Sequence, residues 1–459
     1  MKKSFRRKIF LPTLLLALFS ECISAQTISG GLNHSLSVCT DSTIMAWGGT
    51  SNGELGNGSN NNSFIPVHVS NLTQVIAVAA GGQHSLALRA NGTVWAWGRN
   101  DYGQLGDGTT INSNVPVAVS FLSGIIAIAV GNFHSMALKY DGSVYTWGWN
   151  VNGQLGTGVS GNSNVPIHVT GVSGITAISA GHDNCLALKN DSTVWGWGRN
   201  DYGQLGIGTN VDSNVPVQMN GISGAVAIAG GGAHTLVLKS DGTVWSCGEN
   251  STGQIGNGTN TNSNILLQSS LLTNVKKIAA GWVFSFAQKN DGTFWAWGDN
   301  TSGYYGDSSN VSSNIPVQVN QLSNIVSFTA GGSHGLALKS DSTLWGWGWN
   351  GYGQICDTNG NGRNYPIPIN GLCQIVTKAE QIESELSSSV YPNPTSGWLT
   401  ISSSETVEEI RITDLLGNEI FRVKPIQNIF QLPIEQDGIY LIQITTAKRT
   451  EIKKLVVTR

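Results

Sequence analysis

Apolar residues in this chain arrive in short runs separated by glycine, asparagine and aspartate. In the stretch 75–119, Val75–Ala80 is an apolar run ending in small residues, His84–Leu88 alternates polar and apolar, and Thr93–Trp97 alternates with β-branched and aromatic side chains. A period of two predicts three short strands. Between the second and third lies Ala90-Asn91-Gly92, matched elsewhere by Asp141-Gly142, Asp241-Gly242 and Asp291-Gly292. Such pairs supply the positive φ of a tight hairpin, so these aspartates are turn formers. After a loop over Gly98–Asn114 comes a fourth run, Val115–Val119, containing Pro116, and proline recurs at 66, 166, 216, 316 and 366. Proline cannot donate to a ladder, which puts this strand at a sheet edge.

The pattern repeats in steps of fifty residues. One histidine recurs as His34, His84, His134, His234 and His334, with Asn184 and Phe284 in the two remaining slots. The same step carries Trp47, Trp97, Trp147, Trp197, Trp297 and Trp347, with Cys247 as the exception, and Gly53, Gly103, Gly153, Gly203, Gly253, Gly303 and Gly353 without exception. That makes seven units in register. Repeats of this length build solenoids, propellers or arrays. Four short strands per unit, small at one end and closed by a proline edge at the other, read as the blade of a β-propeller. The fold expected is all-β: a seven-bladed propeller over residues 26–379, then a linker over 380–389 and a small β-sandwich over 390–459. Gln26–Gly30 and Ile375–Glu380 both align with the inner strand, and Ile28 suits its apolar slot better than Lys378 does, which favours the N-terminal copy.

The phrases GGxHSLAL, DGTVWAWGxN and GQLGxGT resemble the repeats of the regulator of chromosome condensation, the RCC1 family, over roughly residues 28–378. That resemblance implies a seven-bladed propeller and leaves function open. The founding member is a nucleotide-exchange factor, and relatives include ubiquitin-ligase modules and secreted bacterial inhibitors of β-lactamases. The exchange factor carries an inserted β-wedge and a basic arm. Here the fifty-residue register never breaks, so guanine-nucleotide exchange is the least favoured reading.

The ends of the chain alter the picture. Lys2, Lys3, Arg6, Arg7 and Lys8 precede the apolar run Ile9–Phe19, and Ala25 ends a small-residue cleavage site, which reads as a secretory signal peptide over 1–25. The run is too short to span a bilayer, and no later stretch is apolar enough. Removing five basic residues and Glu21 from the 25 Lys+Arg and 28 Asp+Glu of the chain leaves 20 against 27, a net charge of −7. That balance opposes nucleic acid as a partner. Five cysteines remain, without metal-ligand spacing. A disulfide, if one forms in this exported chain, would join Cys39 to Cys356 or Cys373, since a ring brings the first and last units together. At the other end, YPNPTSG from Tyr391, Asp414-Leu415-Leu416-Gly417, Gly438-Ile439-Tyr440 and Lys453–Val457 resemble, in order, the C-terminal sorting domain of the type IX secretion system. This implies a Bacteroidota-type envelope, engagement of that machinery by residues 390–459, and a protein released or anchored at the outer cell surface.

Once the repeat is subtracted, no GxSxG, HExxH or phosphate loop remains, and no cofactor or metal site is expected. Five histidines at one ring position are held apart by radial symmetry, so each is expected to make a structural hydrogen bond within its blade. The informative positions are those that vary. In the loop after the Trp-Gly pair, one place is occupied by Gly49, Arg99, Trp149, Arg199, Glu249, Asp299 and Trp349, and two to three residues on come Asp101-Tyr102, Asp201-Tyr202 and Gly351-Tyr352. Equivalent positions share one face of a propeller, and Trp, Tyr and Arg are enriched at binding hot spots. Arg99, Tyr102, Trp149, Arg199, Tyr202, Trp349 and Tyr352 are therefore the candidate partner-binding residues, with packing over neighbouring blades as the competing reading. The function expected is non-enzymatic binding of an extracellular protein or glycan. The alternative is a surface hydrolase or lyase, for which Asp101, Asp201, Glu249 and Asp299 are the available carboxylates.

Overall fold

The computed structural model of the chain describes residues 27–375 and then 388–391, 398–403, 407–414, 419–424, 429–433, 438–446 and 450–457. The expected signal peptide and most of the expected linker lie outside the described residues. The chain divides into two compact units, 1–379 and 380–459.

The first unit holds seven four-stranded antiparallel sheets, each with its strands in chain order from the axis outward. Blade 1 comprises Ile28–Gly30, His34–Val38, Ile44–Gly48 and Ser63–His68, and blade 2 Val75–Ala80, His84–Arg89, Val94–Gly98 and Ser113–Ala118. Blades 3 to 7 continue at the fifty-residue step, ending with Arg363–Pro368. The hairpin turns behave as their residues require: Asp141 Oδ1 accepts the Ser143 amide at 3.0 Å while Gly142 takes φ 81°. Where serine replaces that glycine, Ser192 and Ser342 adopt φ of 63° and 68°.

One contact recurs between blades. The backbone carbonyl of Glu54 in blade 1 accepts both Trp97 Nε1 at 2.7 Å and Ser85 Oγ at 2.9 Å from blade 2. Ser85 and Trp97 are cross-strand partners in blade 2, and Ser85 Oγ also meets the blade 1 histidine, His34 Nε2, at 2.8 Å. The serine's one hydrogen goes to the carbonyl, so its oxygen accepts from the histidine. The network thus assigns a neutral imidazole protonated at Nε2. The same arrangement joins His84 to Ser135, His234 to Ser285, and His334 to Ser35, the last closing the ring from blade 7 to blade 1. Four of the five histidines therefore make side-chain hydrogen bonds, but across the blade boundary rather than within the blade; His134, which faces Cys185 where the others meet a serine, has neither ring nitrogen paired. The reason is the distance between a ring position and the next blade's second strand, which only the long imidazole spans. Six tryptophans sit fully buried in these joints, each against the hydrophobic cluster of the preceding blade, as Trp97 does with Leu36, Ile44 and Leu55.

Closure rests on two further features. The N-terminal strand Ile28–Gly30 completes blade 1 by pairing with Ser35–Ser37, while of the competing copy Ile375, its one described residue, bridges to Cys39. Beside that bridge, Thr40 N donates to Gln374 O at 2.8 Å and Cys39 is disulfide-bonded to Cys373.

The second unit has a three-stranded sheet (Ser388–Tyr391, Trp398–Ser403, Ile429–Pro433) and a four-stranded one (Glu419–Val423, Val407–Asp414, Gly438–Thr446, Thr450–Val457). In the latter, the cross-strand pairs Ile410–Ile444 and Ile412–Ile442 are fully buried on one face, as a sandwich layer requires. Ser388–Tyr391, Glu419–Val423 and Ile429–Pro433 are strands that alternation did not reveal. The first starts inside the expected linker because Ser388 and Ser389 pair with Ser403 and Ser402, backbone ladder bonds that need no apolar side chain.

Burial pushes His34, His134 and His234 down to about 4 and His84 and His334 to about 3. In the unfolded chain these groups bind protons near 6.5, so unfolding takes up protons below that pH, and the stability they contribute above it is lost as pH falls toward 4. The thermal midpoint is expected to hold between pH 7 and 8 and to drop by several degrees between pH 6.5 and 4.5; a midpoint that stays level over the lower range would contradict this. Separately, Cys373→Ser should cost about 2–4 kcal/mol in reversible unfolding, whereas Cys356→Ser should leave the effect of reducing agent intact.

Candidate functional site

Strand direction places the loops 81–83 and 98–113, and their equivalents, on one face of the propeller. Their construction is repetitive. Gly98, at φ 106°, leaves its strand where an added Cβ would lie 2.8 Å from the Gln83 carbonyl oxygen, and Arg99 N donates to that carbonyl at 2.9 Å. Buried Asn100 pins the loop: its Oδ1 accepts Leu105 N at 2.9 Å and its Nδ2 donates to Thr109 O and Ile111 O. Gln104 Oε1 accepts the amide of Tyr102 at 2.9 Å. The side chains at 99 and 102 and their equivalents therefore stand on a backbone fixed from below.

The structure gathers some of the expected residues and leaves others apart. Arg99, Tyr102 and Trp149 come together across blades 2 and 3 around Phe133, with ring centroids 5.4 Å (Tyr102–Phe133), 6.0 Å (Phe133–Trp149) and 6.1 Å (Tyr102–Trp149) apart. The Arg99 guanidinium lies 5.0 Å from the Phe133 centroid and is paired with Asp101 at 2.7 Å. In blade 4, Arg199 sits 5.9 Å from the Tyr202 centroid and bridges Asp201 at 2.6 Å and Asp183 at 3.3 Å. Both arginines are thus neutralised by their own loops. Trp349 and Tyr352 of blade 7 join neither group and are 46% and 44% exposed. Trp149 is half-buried in its cluster, so the packing reading describes it better than it describes Trp349.

Four residues of this face are ones the sequence pattern does not single out: Phe133, His182, Asp183 and Trp282. They lie at the two positions between the ring glycine and the ring histidine. At the first, the seven blades carry Leu32, Gly82, Asn132, His182, Gly232, Trp282 and Gly332, and these border a funnel of about 110 Å³ at the axis. His182 and Trp282 stack at 5.5 Å with 14° between planes, reaching across blade 5. Gly232 makes room for this, since an added Cβ there would come within 2.0 Å of Trp282 Cδ1. His182 Nδ1 meets Asp183 Oδ2 at 3.0 Å. Asp183 is buried, which alone would raise its carboxyl, yet His182 with His134 and Arg199 outweighs that and holds it below the usual carboxylate range. Its Oδ1 has no partner. The signal was present in the variation of the column, but its neighbours are glycines.

The expected carboxylates do not assemble into a centre. Asp101 and Asp201 pair with their arginines, Glu249 accepts from Ser251 at 3.0 Å, and Asp299 accepts from Thr301 and Ser312. Among the described residues no group of three or more His, Cys, Asp or Glu could hold a metal ion, and no helix is long and apolar enough to cross a membrane.

Comparison with known proteins bears on the frame that carries this face. Residues 125–390 match the RCC1-like domain, and residues 41–88 and 91–138 match the regulator of chromosome condensation repeat. Residues 389–458 match the secretion system C-terminal sorting domain. Among solved structures, the chain is similar to human WBSCR16, at 26% identity and TM-score 0.62, covering 69% of this chain and 88% of that one. It is also similar to Prp20p from Saccharomyces cerevisiae, described with its binding properties to Gsp1p and histones, at 25% identity and TM-score 0.60 over 66% and 80% of the two chains. A yeast RCC1 (Prp20) bound to Kap60, at 21% identity and TM-score 0.66 over 85% and 93%, shares the fold.

The stacked pair gives a direct check. Trp282→Ala should move the His182 ring protons downfield by removing the indole ring current, with the thermal midpoint unchanged within about 2 °C because the pair lies outside the interblade joints. Unmoved His182 resonances would show that the two rings do not stack.

Proposed function

The chain belongs to the family of RCC1-like domains, and from that premise we propose that it is a non-enzymatic binding module whose ligand is an extracellular protein or glycan held on the face of the Trp-Gly loops. Its place outside the cell follows from the type IX sorting domain at its C-terminus, which marks it as a secreted or surface-displayed protein and implies passage through that secretion machinery. A ligand therefore has to be met outside the cytosol.

The observation that carries the proposal is the exposure of large aromatic side chains at positions the fold does not need. Trp349, Tyr352 and Trp282 are 46%, 44% and 43% exposed, and small or polar residues fill the equivalent places in other blades without loss of the blade: Gly49, Glu249 and Asp299 for the first, Asn152, Thr252 and Ser302 for the second, and Gly82, Gly232 and Gly332 for the third. Exposed Trp and Tyr on a rigid backbone offer large apolar area at little entropic cost, the composition of a binding surface. Asp183 and Arg199 add a carboxylate and a guanidinium beside the stacked His182–Trp282 pair, polar groups that would fix the orientation of whatever covers the rings. A flat ring also suits the apolar face of a sugar, and the same groups suit a protein loop.

The test is a screen of the mature chain against a glycan array and against a fraction of extracellular surface proteins. A ligand found in either should bind at least tenfold more weakly to Trp349→Ala or Trp282→Ala, about 1.4 kcal/mol or more, with both variants melting as the parent. Equal binding by parent and both variants would remove this face as the site.

A further inference from the structure

The inner strands enclose a cavity along the propeller axis of about 340 Å³, walled mostly by alanine, isoleucine, glycine and valine. One residue there breaks the pattern. Lys277 is the third residue of blade 6's inner strand, and its equivalents are Thr27, Ala77, Ala127, Ala177, Ala227 and Ser327. Its stem lines the cavity, and its ammonium donates to Ser327 Oγ at 3.0 Å and lies 5.2 Å from the Phe328 ring centroid. No carboxylate is among the described residues lining the cavity. An ammonium has three hydrogens to donate, and one hydroxyl takes one of them.

An enclosed cation without an anion destabilises a fold. Four blades show that alanine satisfies this position, so the lysine is not there for packing. Enclosure, together with the neighbouring charge of Lys276, pushes its ammonium down to about 8, so at neutral pH the cavity still holds a positive charge in a wall otherwise neutral. Ser327, accepting from Lys277, keeps its own hydrogen to donate, and Ser29, Ser179 and Thr329 add hydroxyl groups to the wall. A volume of this size admits a small solute at the low end of ligand pockets.

We propose that the axial cavity is a binding site for a small solute bearing an oxyanion, a carboxylate or a phosphate, with Lys277 as its charged anchor and Ser327 as a second donor. The site is independent of the Trp-Gly loop face, being built from inner strands rather than loops, and it gives the propeller a small-molecule ligand besides its surface partner. The oxyanion supplies the charge that the protein leaves out, and its binding stabilises the ring at the position where a sister blade would carry alanine.

The experiment is calorimetric titration of the mature chain with inorganic phosphate and, separately, with glucuronate at pH 7 and low salt. Saturable binding of at least one, weakened tenfold or more by both Lys277→Ala and Lys277→Met and unchanged by Lys276→Ala, is expected. Lys277→Ala should also melt higher than the parent without anion, and the gap should narrow as the anion is added. The phosphate and glucuronate arms distinguish the two chemistries. Binding should weaken above pH 8 as Lys277 loses its proton, Lys276 being the other titratable group near it. No saturable binding of either probe, or equal binding by parent and both Lys277 variants, would overturn the proposal.

Discussion

Seven backbone carbonyls hold this propeller together. Each belongs to the loop residue after the invariant glycine of one blade, as at Glu54 and Gln104, and each accepts from the neighbouring blade. In the regular joints it receives the indole Nε1 of a buried tryptophan and the hydroxyl of the serine paired with it across two strands. A carbonyl has two lone pairs, and this arrangement uses both. The ring is closed because blade 7 makes toward blade 1 the same joint that blades 1, 2 and 5 make toward their neighbours: Trp47 and Ser35 donate to Gln354 O, and His334 reaches Ser35. A second circuit of backbone bonds runs round the mouth, with Leu32, Gly82, Asn132, His182, Gly232, Trp282 and Gly332 each donating an amide to the next blade.

The joints that depart from this scheme show that the contact changes as a unit. Where Phe284 replaces the histidine, Gly335 replaces the serine it would have met, Tyr304 stacks on Phe284 at 5.2 Å, and Trp347 still finds the carbonyl of residue 304. That joint is aromatic where the others are polar. Between blades 4 and 5, Cys247 stands where the tryptophan would be and Met219 closes the space, its side chain packed with Cys247 in one cluster. Asn184 there leaves both amide atoms without partners, as His134 leaves both ring nitrogens at the joint between blades 3 and 4, where Cys185 replaces the serine. With the joints confined to buried positions, the loops above them are free to differ, and the exposed aromatic residues occupy such free positions.

The architecture was legible in the sequence because its period is exact to the residue: the glycines at 53, 103 and onward count the blades, and the proline column marks their edge. The identity of a histidine's partner was not, since for His34, His84 and His234 it lies 51 residues on, in the next blade, and for His334 it lies across the ring closure at Ser35. The loop residues Arg99, Tyr102, Trp149 and Trp349 could be found by aligning the residues just after each Trp-Gly pair. Only the structure separates clustered Trp149 from exposed Trp349. His182 and Trp282 escaped because their column follows the ring glycine and is itself glycine in three of the seven blades, which reads as crowding at the axis rather than as a place where two rings could meet over an empty neighbour. Lys277 stands in the sequence as half of the one basic pair within residues 26–379, but that it faces a cavity without a carboxylate depends on three-dimensional closure. In the second unit, strands such as Ser388–Tyr391 are held by ladder bonds and carry little alternation.

The central claim is that function resides in variable side chains on one face of an invariant ring. Hydrogen exchange of the full mature chain, measured with and without a ligand recovered from the surface screen, tests it most directly. The account predicts slowed exchange in the loops around 99–102, 132–133, 182–183, 282–283 and 349–352, with the strands of the interblade joints unchanged. Slowing confined to the opposite rim, at the hairpin turns around 90–92, 140–142 and 290–292, would contradict it.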